Sequence, residues 1–348
     1  MRLERRERVP RLLLVAAPTG AILAALALCS ILIGLAGAPV LAAYGTLFQE
    51  AFGSRLGITE TLTRATPLIL TGLAAAIAFR ARFWNIGAEG QFYLGAIAVA
   101  AIGSLDWGAP GYLMAPCLLL VGALAGALFL LGPAVLKLRF GVDEVVTTLL
   151  LNFVALLLVS LLIEGPMKDP LAFGWPQSVP VVPEGTLPQL VGRSRLHLGF
   201  LLALLAAAAI AFVNARTLFG LSARAVGLGA PAARHAGIRV GRVLLLTALL
   251  SGAMAGLAGA VEVMGLKGYV TTDLSPGFGT AGVIVAMLAG LNPLGVIPTA
   301  IFVAAVFVGA DAMARAHGVP SFIADAIVAT SLLSMLVALF LVEYRVRR

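Results

Sequence analysis

The stretch Arg80-Ala-Arg-Phe-Trp-Asn-Ile-Gly-Ala-Glu-Gly-Gln-Phe-Tyr-Leu-Gly95 decides how this chain is read. Long apolar segments flank it, yet it sets Asn85, Glu89 and Gln91 beside Gly87, Gly90 and Gly95. In water such a mixture would be an ordinary loop. Between apolar segments, ionisable groups are costly and face a cavity or the interior of a helix bundle. The glycines let the backbone bend or approach another chain segment closely. Phe83, Trp84, Phe92 and Tyr93 offer flat faces on which a planar ligand could stack.

Composition agrees with that setting. Of 348 residues, 61% are hydrophobic and 11% are charged, against about 25% charged in a soluble domain. Several apolar runs reach the roughly 20 residues that a spanning helix needs. The fold class is therefore an all-α polytopic membrane protein. The net charge of +8 gathers in short arginine-bearing segments between apolar runs. It reports topology by the positive-inside rule rather than a nucleic-acid partner. Cys29 and Cys117 both fall within apolar runs, and neither suits a disulfide or a metal site. The three histidines are scattered.

Residues 1–11 read as a cytoplasmic N-terminus and 12–348 as a single transmembrane domain. The first apolar run, Leu12 to Leu35, exceeds the about 7–15 residues of a secretory signal core, so it reads as a first span. Residues 40–62, with Gln49, Glu50, Arg55 and Glu60, read as an external or interfacial piece. Further spans are expected at about 63–79, from within 85–91 to near 106, 112–136, 142–163, 197–214 and 243–264. The proline-rich stretch 164–196 reads as an external loop. Residues 215–242 hold five arginines and no acid, and read as the main cytoplasmic loop. Ala281 to Ala310 is long enough for one long helix or two short ones. Asn292-Pro293 lies near its middle, where proline disfavours helix in the residue before it. Tyr344-Arg-Val-Arg-Arg348, after a final span at 321–342, belongs inside with the N-terminus. Both ends inside require an even count, and splitting at Asn292-Pro293 gives about ten transmembrane helices.

Within the cytoplasmic loop lies Ala223-Arg-Ala-Val-Gly-Leu-Gly-Ala-Pro-Ala-Ala-Arg-His-Ala-Gly237, where small residues could form a flat docking face. With Phe140-Gly-Val-Asp-Glu-Val-Val-Thr-Thr-Leu-Leu-Leu-Asn152 and Gly277-Phe-Gly-Thr-Ala-Gly-Val-Ile-Val-Ala-Met-Leu-Ala-Gly-Leu-Asn-Pro-Leu-Gly295, this segment resembles the permease subunit of bacterial ABC importers for ribose, branched-chain amino acids and nucleosides. Asn85-Ile-Gly-Ala-Glu-Gly-Gln91 narrows the resemblance to the nucleoside-uptake branch. Asp143 and Ala230-Pro231 depart from the pattern, which would have Asn and Asn-Pro there.

The resemblance implies an importer of several chains. This permease would pair with a second, unlike permease, and both would work with ATP-binding subunits and an external binding protein or lipoprotein. It also implies a multi-pass place in the bacterial inner membrane, and an inverted repeat relating helices 2–5 (63–163) and 7–10 (243–342), counted with 12–35 as helix 1. No cofactor is expected in this chain; ATP and Mg would sit on the partner ATPase. Consistently, none of Lys137, Lys168 and Lys267 follows a glycine, so there is no phosphate-binding loop ending in Gly-Lys-Ser/Thr. Nor is there a Ser/His, HExxH or paired-Asp pattern to make the chain an intramembrane enzyme.

The expected substrate pathway comprises Phe83, Trp84, Asn85, Glu89, Gln91, Asn152, Phe278 and Asn292. ATPase coupling falls to Arg224, Gly227, Ala232, Ala233, His235 and Gly237. Each polar residue has a plainer alternative. Glu89 could hold backbone N–H groups at a helix start. Asn85, Gln91 and Asn152 could join helices across the bundle. Asp143 and Glu144 could be helix-start acids, or could pair with Arg139 or the coupling loop. Phe278, between two glycines, and Asn292-Pro293 suggest broken helices, which irregular backbone allows only beside a cavity or buried in protein. Other readings of the function are a sugar or branched-chain amino-acid permease and a proton-coupled secondary transporter using Glu89 or Glu262.

Overall fold

A computed structural model describes residues 37–318 continuously, and beyond them residues 2–5, 20, 23–24, 26–31, 33–35, 326, 329–330, 333–334, 337–338 and 344–347. Eleven helices follow in order across the continuous part: α1 Val40–Phe52, α2 Arg55–Arg80, α3 Ala88–Gly103, α4 Gly111–Phe140, α5 Glu144–Glu164, α6 Gly199–Arg216, α7 Leu218–Leu228, α8 Ala230–His235, α9 Val240–Glu262, α10 Phe278–Leu288 and α11 Pro293–His317. Six helices among the described residues are long and apolar enough to cross a membrane: α2, α4, α5, α6, α9 with its π-helical end to Lys267, and α11. Leu26–Leu35 with α1, bent by 118°, raises the number to seven if the pair is one span. The chain is a polytopic, helical membrane protein. The expected spans at 12–35 and 321–342 lie largely outside the described residues.

Two compact units divide the chain, one of residues 1–64 with 301–348, the other of residues 65–300. In the first, Arg64 pairs with Asp311 at 2.6 Å and with Glu60 at 3.7 Å. The segment 40–62, expected to be external or interfacial, is helical and forms α1 and the start of α2. Its polar side chains serve the helices: the Thr61 hydroxyl donates to the Ala51 carbonyl at 3.1 Å and that of Thr63 to the Thr59 carbonyl at 2.8 Å. Strands Arg2–Arg5 and Tyr344–Arg347 pair antiparallel. Cys29 and Cys117 are free thiols.

The second unit is built on α3, α4 and α9, which meet backbone to backbone. A Cβ at Gly95 would strike the Gly256 backbone, one at Gly126 the Gly252 carbonyl, and one at Gly259 the Phe92 carbonyl. Apolar helices in lipid gain nothing from hiding apolar surface, so close approach through small residues supplies the packing energy. The many glycines of the sequence act here.

The apolar helices α3 and α10 are each shorter than the spans on either side of them. Ala88–Gly103 has 16 residues and Phe278–Leu288 has 11, against a hydrocarbon core about 30 Å thick that takes about 20 helical residues to cross. The break expected at Asn292-Pro293 is present. Gly290 and Leu291 both take positive φ, +59°, and Pro293 opens α11. The boundaries differ from expectation, since α10 begins at Phe278 and α11 runs to His317.

The stretch 165–198 holds no α-helix and a single 3-10 turn, Pro183–Gly185. It is tied down by backbone bonds. The amides of Ser178, Val181, Val182 and Leu187 donate to the carbonyls of Val270, Gly268, Gly103 and Met264 at 2.8–3.0 Å. Beneath it His197 is buried, its ring against Gly199 and Gly265, and burial lowers its pKa to about 4. Glu262, the last residue of α9, is buried as well.

Candidate functional site

The opening stretch of sequence is where helix gives way. α2 ends at Arg80, Arg82 takes φ +53° and the chain runs without helix to Gly87 before α3 starts. Asn85 and Gln91 close this turn by exchanging both amide bonds, Nδ2 to Oε1 and Nε2 to Oδ1, each 2.9 Å. Asn85 Nδ2 also donates to Ser251 Oγ at 2.9 Å, and Ser251 donates to the Ala74 carbonyl at 2.7 Å. The Gly87 amide completes the set, donating to Asn85 Oδ1 at 3.0 Å. Ser251 lies midway along α9, so this knot sits inside the bundle rather than at its end.

One face of α5 serves the same turn. Glu144, Thr148 and Asn152, four residues apart along the helix and all buried, point at it together. Glu144 Oε1 accepts from the Trp84 amide at 3.2 Å and Thr148 Oγ1 from the Ile86 amide at 3.3 Å. Asn152 accepts from the Gly90 amide at 2.8 Å and donates to the Ile86 carbonyl at 3.1 Å. These bonds replace what the unwound backbone loses by leaving the helix, the requirement that lipid imposes. Gly87 and Gly90 allow the fit, since a Cβ would stand 2.9 Å from Thr148 and 3.0 Å from Asn152 Oδ1. Lys137, in the last turn of α4, pairs with Glu144 and lies 5.7 Å from the centre of the Phe83 ring.

Glu89 reaches a second helix start. Its Oε2 accepts from the Gly279 amide at 2.6 Å, in the first turn of α10, where a carboxylate complements the helix dipole. Thr71 donates to the Phe278 carbonyl at 2.9 Å. The Tyr93 hydroxyl donates to the Thr272 carbonyl at 2.7 Å and accepts from the Ser275 amide at 3.2 Å. The non-helical strand of chain that leads into α10 is thus pinned to α2 and α3. Of the two expectations for Glu89, holding backbone N–H is what it does, though on a helix other than its own.

The remaining predicted residues are dispersed. Phe83 and Phe278 are buried, and the Phe278 ring lies 6.1 Å from that of Phe92. Trp84 is 41% exposed, and its ring lies tilted against that of Phe79 with centres 4.7 Å apart. Asn292 is exposed, and its Oδ1 accepts from the Leu294 amide at 3.1 Å, which makes it a cap of α11. The loop at 215–242 forms α7 and α8. Gly227 on α7 sits against the Arg80 carbonyl, where a Cβ would collide. Ala233 is buried, whereas Arg224, Ala232, His235 and Gly237 are exposed, and Gly237 turns the chain at φ +82°.

Sequence reasoning missed Lys137, Thr148, Ser251 and Thr71, gave Tyr93 only as a stacking face, and placed Glu144 only as a helix-start acid or a partner of Arg139 or the coupling loop. The signal for the α5 face was present, as polar residues at 144, 148 and 152 within an otherwise apolar helix. Asp143, not Glu144, caps α5, accepting from the Val145 amide at 2.7 Å.

The class that this architecture defines is a polytopic helical membrane protein, with spanning helices around the shorter α3 and α10. The chain belongs to the family described as the permease component of the branched-chain amino acid transport system, which matches residues 57–342. It is 36% identical to the guanosine ABC transporter permease protein NupP of Bacillus subtilis, over 93% of this chain and 94% of that one. It is 35% identical to the glucose ABC transporter permease protein TsgB13 of Haloferax volcanii, over 99% of this chain and 93% of the relative. It is 30% identical to the nucleoside ABC transporter permease protein NupB of Lactococcus lactis, over 86% and 84%. No solved structure matches the chain.

Proposed function

We propose that this chain is the nucleoside-conducting permease of an ATP-driven importer. The observation that carries the reading is the meeting of two short helices, α3 and α10, at Glu89. Interrupted helices whose ends lie inside a bundle build the substrate sites of many secondary transporters. Likeness to NupP and NupB across most of the chain supports a nucleoside as cargo. Phe83, Trp84, Asn85, Glu89, Gln91, Asn152, Phe278 and Asn292 mark the pathway region. The buried amides shape it and do not face cargo while their mutual bonds last.

Ten spans follow if the regions 12–35 and 321–342 each cross. The pairing of Arg2–Arg5 with Tyr344–Arg347 supports termini on one side, which we assign to the cytoplasm of the plasma (inner) membrane. The short helices α3 and α10, one in each half, support an inverted repeat of spans 2–5 (63–163) and 7–10 (243–342), counted with 12–35 as the first. The chain also resembles NupQ of Bacillus subtilis, at 31% identity over 70% of its length. That a single organism holds two such relatives supports pairing with a second, unlike permease. ATP-binding subunits carrying ATP and Mg would dock on α7 and α8 through the exposed Arg224, Ala232, His235 and Gly237, while the buried Gly227 and Ala233 would pack these helices onto the rest of the chain. An external binding protein or lipoprotein would deliver the cargo.

A sugar is the second reading, because the glucose permease relative covers 99% of this chain. Uptake of radiolabelled guanosine and uridine, with and without this chain, tests the proposal against glucose and leucine. Loss of nucleoside uptake alone supports it, and loss of glucose or leucine uptake alone overturns the choice of cargo.

A further inference from the structure

We infer that the buried face of α5 formed by Glu144, Thr148 and Asn152 is a positioning element that carries movement of the cytoplasmic helix α7 into the transport region. The inference rests on the importer reading above. Three observations support it. Gly227 of α7 lies directly on the Arg80 carbonyl, without room for a methyl group. Displacement of α7 therefore reaches the end of α2 with no side chain between to absorb it. The turn that follows is bonded to α5 at Trp84, Ile86 and Gly90, so it cannot move without α5 or without breaking those bonds. The same turn ends in the Asn85–Gln91 pair and leads to Glu89, which holds the first turn of α10.

Glu144 is the critical member. It is buried, it accepts the Trp84 amide and it ties α5 to α4 through Lys137. Loosening it frees the segment nearest α7 while the Asn85 knot and the helix core keep their own contacts. Coupling between α7 and α10 then weakens, although each still folds.

The test uses the complete transporter, co-expressed with its partner chains and reconstituted in vesicles, and measures guanosine taken up per ATP hydrolysed. Glu144→Gln keeps an oxygen for the Trp84 amide but loses the charge pair; Glu144→Ala loses both. Uptake per ATP should fall about tenfold or more in Glu144→Ala, within the range of ordinary coupling free energies, and should stay close to that of the unaltered protein in Glu144→Gln. Hydrogen exchange over residues 84–90 of the same samples should accelerate in Glu144→Ala only. An unaltered ratio in Glu144→Ala, or an equal loss in both variants, overturns the inference. Unchanged exchange in Glu144→Ala overturns it as well, independently of transport. Absence of ATP-driven uptake by the unaltered complex would instead strike the importer reading, which the exchange result leaves apart.

Discussion

Asn85 and Gln91 bond to each other through both ends of their amides, so each side chain satisfies the other in a place where water cannot. Asn85 also engages Ser251 and Gly87, filling both donor and both acceptor positions. Two polar residues in the middle of an apolar bundle are thereby turned into a joint between α9 and the turn before α3.

Breaking that joint on one side leaves the other side unsatisfied. Asn85→Leu should lower stability by about 2 kcal/mol, the cost of stranding buried polar groups. Gln91→Leu on top of it should add less than it does alone. A double-mutant cycle on thermal unfolding in detergent checks this, and strictly additive losses would contradict the mutual pairing.

Glycines at positions of close approach should behave differently from glycines at turns. Gly259→Ala and Gly227→Ala place a methyl group against a backbone carbonyl, and both should reduce the yield of folded protein or of assembled complex. Gly237→Ala meets nothing within 4 Å but sits at φ +82°, so it should cost only about 1 kcal/mol from backbone strain. Pull-down of the ATP-binding subunit and size-exclusion profiles of the three variants compare the two effects.

Glu89 binds a backbone amide at the start of α10, a bond that Gln can keep and Ala cannot. Glu89→Gln should retain more uptake than Glu89→Ala, and the Ala variant should lose about tenfold, the effect of about 1.4 kcal/mol. Equal uptake by the two variants would mean that charge or its absence, not the Gly279 contact, governs the site.

His197 imposes a pH dependence of definite sign. Its pKa is lowered from 6.5 to about 4 by burial, so the unfolded chain takes up the proton first as pH falls. Stability is full above about pH 6.5 and declines as pH drops toward about 4. The decline amounts to roughly 3 kcal/mol, at 1.36 kcal/mol per pKa unit. His197→Gln should flatten that part of the profile, measured by unfolding of the purified chain between pH 7 and pH 4.

Much of this protein was determined by sequence alone. Runs of apolar residues about 20 long can be satisfied only as helices in lipid, so α4, α5, α6 and α9 fall close to where the residues place them. Arginines without acids marked the segment that became α7 and α8. Pro293 marked a break because its ring disfavours helix in the residue before it, and here Gly290 and Leu291 add positive φ just ahead of it. What sequence could not supply were partners distant along the chain. Nothing in the order of residues says that Asn85 meets Ser251, that Glu89 caps a helix starting at Phe278, or that Glu144 holds the Trp84 amide. A buried polar group has many possible partners of equal chemistry, and only the packing of the helices, closest where α3, α4 and α9 meet through their glycines, brings one of them within hydrogen-bond reach.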